Sequence, residues 1–539
     1  MRCLSQLARL LRAVMLAGAF GLTCFAAEQP EAKRQSKRPN FLIIVADDMG
    51  FSDAGCYGGE IETPNLDRLA QGGLRFTQFY NTARCWPTRA CILTGYYAQQ
   101  VRMDPPSGRL PRWTRVLPHY LKPLGYRCYH SGKWHLHGAP RPVADAGFDR
   151  SYKLDDHNRY FAPRQHMEDD RRLPPVAAGG GYYATTAIAD HAIRCLREHA
   201  QKHPDAPFLQ YLAFTSPHFP LHALPEDIAR YRARYLEGWD AVRQRRWQRV
   251  REMGIFSSPA APLDETITPR YFREEFLSIL GPGEIRRAVA WQALSEEQKR
   301  FQAVKMAIHA AMVYRMDREI GRVLEQLCAM GAFENTVIFF LSDNGADATI
   351  LVRGDGHDRS AAPGSGASFL CLGPGWASAS NAPLRRHKIW VHEGGISTPL
   401  IVHWPQGIAA RGELRHDVGH VIDLVPTLLE LAGAQPAQTF NGATPPPLPG
   451  RSLVPSFARD GAIEREFLFF SHEGNRAIRM GKWKLVSASE DNHVWELFDL
   501  AADRGETVNL AGKYPERVRQ MEARWNELDI QFRRQAESP

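Results

Sequence analysis

The architecture of this chain follows from one stretch, Asn40-Phe41-Leu42-Ile43-Ile44-Val45-Ala46-Asp47-Asp48. Its first seven residues form a nearly continuous apolar run rich in β-branched side chains, which predicts a strand buried on both faces. The carboxylates of Asp47 and Asp48 follow where this strand ends. Because such strands belong to sheets covered by helices on both sides, the stretch indicates an α/β fold.

A second buried strand is predicted far along the chain, at Thr336-Val337-Ile338-Phe339-Phe340-Leu341, and it is closely followed by Asp343 and Asn344. Parallel strands present their carboxyl ends at one edge of a sheet, and ligands bind in the crevice there. We therefore expect Asp47 and Asp48 to meet Asp343 and Asn344. Three carboxylates and an amide oxygen suit Ca²⁺ or Mg²⁺ and are poor ligands for zinc.

Two further acidic pairs, Asp155-Asp156 and Asp169-Asp170, have a different context. They lie among Arg, His and Asn residues and have no apolar strand before them. This pattern is typical of solvated loops, so these pairs are not included in the predicted metal site.

A third stretch, Cys85-Trp86-Pro87-Thr88-Arg89-Ala90-Cys91-Ile92-Leu93-Thr94-Gly95, has the spacing C-x-P-x-R. Pro is tolerated in the first turn of a helix, so Pro87 indicates a helix start that leaves residue 85 at the positive helix end. The stretch resembles the signature of type I sulfatases, although Trp86 stands where a small residue is commoner. In that family a maturase converts the Cys into Cα-formylglycine before folding, which implies the same change at Cys85.

Three more segments resemble motifs of this family. Gly132-Lys133-Trp134-His135 resembles G-K-x-H, and Pro217-His218-Phe219-Pro220, after an apolar run at 208–214, resembles P-H-x-P. Lys388 precedes Glu393-Gly394-Gly395 by five residues, as in the family. We expect three strand-end loops to bring these groups to one edge, where cationic side chains suit a charged sulfate ester.

The resemblance also implies a role for each residue. One calcium ion, rather than magnesium, is expected to polarise a sulfate oxygen, and a hydroxyl of the hydrated formylglycine to attack sulfur. Arg89 would orient this diol, Lys133 and Lys388 would hold sulfate oxygens, and Lys388 could share the proton-donor role. His218 is predicted to protonate the leaving group and His135 to deprotonate the second hydroxyl, with the reverse assignment left open. The expected metal ligands are Asp47, Asp48, residue 85, Asp343 and Asn344.

The C-terminal part is predicted to border this pocket, and His472 is its candidate for a contact with substrate. Asp347 marks a position where many relatives differ. For that reason, substrate specificity is not transferred from the family. Sulfated small molecules and sulfated glycans both fit the predicted chemistry.

Length and spacing predict the organisation of the 539 residues. Residues 39–450 are expected to form a catalytic domain, with a charged helical insertion at about 225–300 whose Arg clusters indicate a solvated face. Residues 451–539 contain four short strand patterns and a terminal helix. The predicted fold is a three-layer α/β/α sandwich with a large mixed, mostly parallel sheet and a smaller C-terminal antiparallel sheet with a helix.

The N-terminus carries three Arg residues, an apolar stretch and small residues at Ala26 and Ala27. This pattern predicts a signal peptide over 1–27, with an uncleaved membrane anchor as the alternative, and residues 28–38 as a flexible leader. The expected location is extracellular or periplasmic, and no stable membrane partner is predicted.

Charge and cysteine content agree with this interpretation. The formal net charge of +8 is mild and diffuse, so no nucleic-acid partner is predicted, while an anionic substrate is compatible with it. The nine Cys are scattered without a CxxC pair, which indicates neither zinc nor a dense disulfide framework, although one or two disulfides stay possible.

The sequence therefore predicts a calcium-dependent sulfatase that hydrolyses sulfate monoesters and depends on a formylglycine-generating maturase. Two alternatives stay open. One is a phosphate or phosphonate ester hydrolase of the same alkaline phosphatase superfamily. The other is a non-catalytic protein that keeps the fold and binds sulfated glycans.

Overall fold

The computed structural model describes residues 38–435 and 438–537. The predicted signal peptide and the leader up to residue 37 lie outside these residues. From Arg38 onward the chain forms one compact unit. Within the described part, no helix is both long and apolar enough to cross a bilayer.

The strands of the larger sheet include both stretches that the sequence predicted as buried strands. They are β1 (Asn40–Ala46), β2 (Leu74–Tyr80), β3 (Arg127–Gly132), β4 (Arg150–Leu154), β5 (His166–Glu168), β6 (Arg171–Arg172), β7 (Phe208–Ala213), β8 (Thr336–Ser342), β9 (Ser397–His403) and β10 (Glu413–His420).

This sheet has, among the described residues, ten strands in the order β10-β2-β9-β8-β1-β7-β3-β4-β5-β6. The central strand β1 pairs in parallel with β7 and β8, and β3 pairs in parallel with β7. Their carboxyl ends therefore share one edge of the sheet. Strand β9 runs antiparallel between β8 and β2. These pairings confirm the predicted large, mixed and mostly parallel sheet.

Helices connect the strands and cover both faces of the sheet. They are α1 (Pro64–Gln71), α2 (Cys85–Thr94), α3 (Leu117–Leu121), α4 (Ala184–Lys202), α5 (Pro225–Tyr231), α6 (Trp239–Glu252), α7 (Glu275–Leu280), α8 (Glu296–Ala329), α9 (Pro374–Ser380), α10 (Glu393–Ile396), α11 (Leu424–Leu431), α12 (Val454–Ala458) and α13 (Pro515–Glu537).

Alternate side chains of β1 point into two separate cores, as strand geometry requires. Leu42 and Ile44 pack in the core formed with helices α1, α4 and α8. Phe41, Ile43 and Val45 pack in the opposite core, formed with α2, α11 and α13. A sheet between two helical layers is the predicted three-layer arrangement.

Two helix boundaries differ from the sequence-based expectation. Helix α2 begins at Cys85 itself, with Arg84 as its extended N-cap residue and Pro87 inside the first turn. Helix α8 spans 34 residues and starts from a capping box between Ser295 and Gln298. The charged insertion was expected to extend to about residue 300, so α8 begins slightly earlier, inside that range.

The smaller sheet is antiparallel, in the order β11-β12-β13-β14. Its strands are β11 (Leu468–His472), β12 (Asn475–Met480), β13 (Trp483–Ser487) and β14 (Trp495–Asp499). Helix α13 packs on it, and the Trp525 indole donates a 3.0 Å hydrogen bond to the Phe470 carbonyl. This confirms the predicted C-terminal sheet with a helix, while the division at residue 450 stays a prediction.

The described residues contain seven of the cysteines, and no disulfide bond joins any two of them. Six of them, including Cys85, are buried, and Cys328 is partly exposed. The disulfides that the composition left possible are therefore not present between residues 38 and 537.

Candidate active site

The register between β1 and β8 positions the acidic residues that follow them. Ala46 pairs with Ser342, and the Asp343 amide donates to the Ala46 carbonyl at 3.1 Å. Asp47 and Asp343 therefore leave the sheet side by side, although they come from distant parts of the sequence. The Asp48 amide donates to Asp343 Oδ1 at 3.3 Å, and the Asn344 amide group donates to Asp48 Oδ1 at 2.7 Å.

These side chains are suited to hold a hard divalent cation. Asp47 Oδ1 and Asn344 Oδ1 are buried oxygens without a hydrogen-bond partner. Among the described residues, Asp47, Asp48 and His218 each bring one ligand atom within 4.8 Å of the others. The Asp343 carboxylate lies beside this group but also accepts from Arg89. Unpaired buried oxygens cost free energy, which a bound Ca²⁺ or Mg²⁺ would recover.

The carboxyl groups have unusual proton affinities because they are crowded in a buried space. Burial, together with the charge of Asp47, raises the pKa of Asp48 to about 7 despite the opposing effect of Lys388. Burial and Asp47 also raise the pKa of Asp343 to about 6. For Asp47, burial raises the pKa, but the charges of Lys133 and Arg89 outweigh this and lower it. Burial and nearby like charges both raise the pKa of a carboxyl group, as they do at Asp48 and Asp343.

Cys85 and Arg89 lie on the first turns of α2 and face this carboxylate group. Cys85 is 3 % exposed, and burial raises the pKa of its thiol, with Asp47 and Asp343 adding to the effect. Arg89 Nε donates to Asp343 Oδ2 at 2.9 Å, and its Nη1 donates to the Lys133 carbonyl at 3.1 Å. Arg89 thus connects the helix that carries residue 85 to the acidic cluster.

Two buried lysines reach the same carboxylates. Lys133 Nζ lies 2.5 Å from Asp47 Oδ2, and Lys388 Nζ lies 2.7 Å from Asp48 and 3.1 Å from Asp347. Lys133 directly follows β3, as expected. Lys388 instead comes from the loop between α9 and α10, because β9 is antiparallel and its preceding segment lies at the site edge.

His218 and His135 both border the acidic cluster. The His218 Nδ1 atom contacts the Phe219 carbonyl, which requires a proton on Nδ1 and leaves Nε2 facing Asp48 Oδ2 at 3.7 Å. Burial and the charges of Lys388 and Lys133 lower the pKa of His218 well below its usual value. Burial and Lys133 act in the same direction on His135. Both rings are therefore neutral near pH 7 in this arrangement.

His472 lies on the C-terminal side of the pocket. Its Nδ1 is 2.9 Å from Asp104 Oδ2, and its ring centroid lies 5.5 Å from that of Trp86. Because Trp86 directly follows Cys85, this contact places the end of β11 beside the residue 85 region. A role of His472 toward substrate stays a prediction, as do the individual roles of the other site residues.

Sequence analysis did not single out His157 or Arg84. The His157 ring lies 5.1 Å from that of His218 and 5.7 Å from that of His135. Desolvation and the charge of Lys133 lower the pKa of His157 to about 3. His157 lies in an irregular loop that no strand pattern marks. Arg84 directly precedes Cys85, and only this adjacency could have drawn attention to it.

A cavity of about 240 Å³ opens at this edge and is lined by Lys133, His135 and His157, among others. Asp155 and Asp156, by contrast, pair with Lys153 and Arg159. The second acidic pair, at 169–170, binds Arg150 and backbone amides near residue 143. Both pairs are thus engaged by other partners.

Several site residues adopt left-handed backbone conformations. They are Asp48 at φ 68°, Ala83 at φ 65°, His135 at φ 56° and Ile389 at φ 85°. A positive φ is unfavourable for residues with a Cβ, above all for the β-branched Ile389, and persists only where the surroundings impose it. These backbone conformations lower the stability of the fold, and they orient the side chains toward this edge of the sheet.

The arrangement combines opposite charges at one buried place. Carboxylates Asp47, Asp48, Asp343 and Asp347 lie among the cations of Arg89, Lys133, Lys388 and Arg84. Since these charges balance formally, a bound divalent cation would make the site positive and favourable for an anionic ester. Neutral histidines beside it can then exchange protons with a nucleophile and a leaving group.

Comparisons with known proteins agree with this chemistry. A family model described as "Sulfatase" matches residues 39–434, and one described as "N-sulphoglucosamine sulphohydrolase, C-terminal" matches residues 386–531. An uncharacterized sulfatase of Schizosaccharomyces pombe is 32% identical over 91% of this chain and 93% of its own length. The arylsulfatase of Klebsiella aerogenes is 31% identical over 78% of this chain and 92% of its own length.

Solved structures share the fold. A crystal structure of the PsFucS1 sulfatase from Pseudoalteromonas sp. has a TM-score of 0.62 at 17% identity, covering 94% of this chain and 92% of that chain. Since the family model spans most of the chain and two relatives exceed 30% identity over most of it, the chain belongs to the type I sulfatase family and is a sulfuric ester hydrolase.

Proposed function

We propose that this protein cleaves the S–O bond of aryl or carbohydrate sulfate monoesters, with formylglycine at position 85 and one bound Ca²⁺. The observation that carries the proposal is the buried cluster of Asp47, Asp48, Asp343 and Asn344 beside Cys85. It leaves two oxygens without a partner and lies in a fold whose relatives are sulfatases.

The metal would be held by the oxygens of Asp47, Asp48, Asp343 and Asn344, together with an oxygen on residue 85. When bound, Ca²⁺ supplies charge that polarises a sulfate oxygen and favours an ionised hydroxyl nearby. The Oδ1 atoms of Asp47 and Asn344 support this assignment, because both are buried and neither accepts a hydrogen bond.

The state of Cys85 supports its chemical conversion. A buried thiol with a raised pKa stays protonated near pH 7 and is a poor nucleophile toward a sulfate ester. Formylglycine, once hydrated, supplies a hydroxyl group for attack on sulfur. Arg89 reaches back from the first turn of α2 and would hold this hydroxyl group in place while its guanidinium pairs with Asp343.

The lysines would bind the charged sulfate oxygens, and the histidines would transfer protons. Lys133 and Lys388 offer cations for the sulfate oxygens, and each lies beside a carboxylate. Asp347 and Asp48 raise the pKa of Lys388, which favours its charged form. His218 is oriented by its Nδ1 contact with the Phe219 carbonyl, so it must take up a second proton on Nε2 before it can protonate the leaving oxygen. The negative charge of a bound sulfate ester would favour this charged form. His135 would accept the proton from the second hydroxyl of residue 85.

The first test is chemical and functional together. The protein is expressed with a formylglycine-generating maturase, the peptide containing residue 85 is analysed by mass spectrometry, and turnover of 4-nitrophenyl sulfate is measured. Conversion of the thiol to an aldehyde and loss of turnover in Cys85→Ala by about 10⁴-fold or more are expected. A Cys91→Ala variant, which changes a neighbouring buried thiol, serves as the matched control. Full activity of Cys85→Ala would refute the proposed nucleophile.

The same assay separates sulfate from phosphate chemistry. We expect kcat/KM for 4-nitrophenyl sulfate to exceed that for 4-nitrophenyl phosphate. The opposite preference would support the alternative ester hydrolase of the same superfamily.

The roles of the two histidines are tested with a series of aryl sulfates of increasing leaving-group pKa. If His218 is the acid, His218→Ala loses most activity on the poorest leaving groups, because good leaving groups need no proton. His135→Ala should lose activity evenly across the series. The reverse pattern would exchange the two roles.

We also propose that the chain is secreted or exported to a periplasm after cleavage near residue 27. The N-terminal charge and apolar pattern supports this. N-terminal sequencing of the mature protein from a secreting host tests it, and a retained residue 1 in the purified protein would contradict it.

A further inference from the structure

Arg84 is a cation beside the nucleophile position that the proposed mechanism does not use. It is the extended N-cap residue of α2 and directly precedes Cys85. Its charge acts on Lys388 and Asp347, so it lies within electrostatic range of the proposed active site. Its side chain is partly exposed, and its Nε is nonetheless a buried donor without an acceptor.

The guanidinium of Arg84 contacts aromatic rings rather than carboxylates. It lies 4.9 Å from the ring centroid of Trp86 and 5.6 Å from that of Tyr271, and makes no ion pair among the described residues. The Trp86 indole N–H is likewise buried without an acceptor. Two residues at the start of α2 thus have buried hydrogen-bond donors without an acceptor. Buried donors normally have a partner, so both donors are available to an acceptor on a ligand.

The acids nearest to Arg84 are engaged elsewhere. Glu473 accepts 2.7 Å hydrogen bonds from the Tyr271 hydroxyl and lies 3.3 Å from Arg270. Asp347 lies 3.1 Å from Lys388 and also accepts from the Thr349 amide. Since both carboxylates have their own partners, neither one neutralises the Arg84 guanidinium directly.

Tyr271 is held over Arg84 at a conformational cost. Its backbone has a φ of 66°, which is a strained value for a bulky aromatic residue. Its hydroxyl is fixed by Glu473, which itself has a φ of 46° and lies in the turn between β11 and β12. The helical insertion and the C-terminal sheet therefore meet at this ring. Imposed strain at an exposed aromatic indicates a defined position rather than a loose loop.

We infer that Arg84, Trp86 and Tyr271 form a subsite for a second anionic group, carried on the leaving-group ring of the substrate. This inference rests on the proposed function and names its substrate class: sulfate monoesters whose alcohol bears another sulfate or a carboxylate. The planar guanidinium can bind two oxygens of such a group, and the indole N–H of Trp86 offers a further donor. The sulfate under attack already has Lys133 and Lys388.

The test compares matched substrates that differ in one charge. The first pair is 3-carboxyphenyl sulfate and 3-carbamoylphenyl sulfate. The second is benzene-1,3-diyl disulfate and 3-(methylsulfonyloxy)phenyl sulfate, in which the additional group is neutral. For at least one pair, the wild-type protein should prefer the anionic member in kcat/KM by about 10- to 100-fold, the range for a charge-assisted hydrogen-bonded contact. The pair with the larger ratio distinguishes carboxylate from sulfate.

Variants connect this preference to Arg84. In Arg84→Gln the ratio of kcat/KM between the paired substrates should fall close to 1, while Arg84→Lys, which keeps the charge without the planar fork, should keep part of it. The matched control is Arg517→Gln, since Arg517 also lies over a tryptophan, 4.7 Å from Trp483. Trp483 starts β13, at the end of the β12–β13 hairpin away from the β11–β12 turn. The control should leave the ratio unchanged.

Failure of the subsite and failure of the proposed function give different results. If neutral aryl sulfates are hydrolysed but the wild-type ratio is near 1 in both pairs, the subsite is overturned while the sulfatase mechanism stands. An equal loss on both members in Arg84→Gln also overturns it, because Arg84 then serves the reacting sulfate. If no ester is hydrolysed, calorimetric binding of the same pairs to Cys85→Ala decides, with equal affinities contradicting the subsite.

Discussion

Two buried clusters of charge are attached to the segment that follows β1, and they differ in how they are satisfied. The first ties helix α6 of the insertion to this segment: Arg246 lies 2.7 Å from Asp53 and 2.8 Å from Glu60, and His309 lies 3.0 Å from Asp53. The second is the active-site cluster around Asp48. Both are almost completely removed from solvent.

The proton affinities of the carboxyl groups show the difference. Burial alone would raise the pKa of Asp53, but His309 and Arg246 outweigh it and lower that pKa to about 2. Arg246 does the same for Glu60, whose pKa is also about 2. Asp48 and Asp343 instead have raised pKa values, about 7 and about 6. In the insertion cluster the cationic partners outweigh burial at both carboxyl groups. In the active-site cluster burial and neighbouring carboxylates outweigh the lysines and Arg89 at Asp48 and Asp343.

The largest effect is expected when a carboxylate is removed from the active-site cluster around Asp48. Asp48→Asn keeps the size of the side chain but removes a charge that would hold the metal. We expect kcat/KM for an aryl sulfate to fall by about 10³-fold and the stabilisation by Ca²⁺ to disappear. Enzyme kinetics and the thermal midpoint with and without Ca²⁺ measure this. Asp145→Asn, at an exposed Arg141 pair, is the control and should change neither quantity.

A change in the insertion cluster around Arg246 should instead lower the free energy of unfolding. Arg246→Met leaves Asp53 and Glu60 buried without their cation, which costs about 3–5 kcal/mol in the free energy of unfolding. Urea denaturation measures the loss. Arg249→Met on the same helix, which removes a single 3.0 Å bond to the Gly59 carbonyl, should cost no more than about 1 kcal/mol. Equal losses in the two variants would contradict the difference between them.

Calcium binding should release protons from the carboxyl groups of the active-site cluster. At pH 6, Asp48 is mostly protonated and Asp343 about half protonated, given pKa values of about 7 and about 6. Since metal binding requires the ionised carboxylates, more than one proton should leave at pH 6 and almost none at pH 8. Calorimetry in buffers of different ionisation enthalpy counts these protons. A release that does not vary with pH would show that the carboxyl groups are already ionised.

The smallest effect is expected at His157, which packs between His218 and His135 without contacting the carboxylates at hydrogen-bond distance. His157→Gln should lower kcat/KM by about 10-fold and alter its pH profile, because the two neighbouring rings lose a fixed contact. His416→Gln, at an exposed site on β10, is the control. An unchanged profile in His157→Gln would assign this histidine to packing alone.

The parts of the fold that were predictable share a strong local signal. β1 and β8 are continuous apolar runs that end in acidic residues, and the four C-terminal strands are bounded by polar turns. The antiparallel course of β9 was not predictable, since strand direction depends on pairing partners that local sequence does not encode. The approach of Lys388 from a segment before a strand follows from that direction.

The site was predictable where family motifs mark it and not where packing alone decides. Arg246 was expected on a solvated face of the insertion, yet it is fully buried. It lies on the same stripe of α6 as Trp239, Val242 and Val250, so the helical spacing carried the signal. No such spacing marks Arg84 or His157, because their position at the site depends on loops that meet only in the folded structure.

The burial of Cys85 also has a consequence for timing during protein synthesis. If Cys85 is converted to formylglycine as proposed, the maturase must reach the thiol while the surrounding shell is incomplete. Part of that shell, Asp343, is encoded 258 residues later. At about 5–20 residues per second, the ribosome needs roughly 13 to 50 s to add that stretch. The delay between translating the two segments thus opens a window for modification, and faster elongation would narrow it.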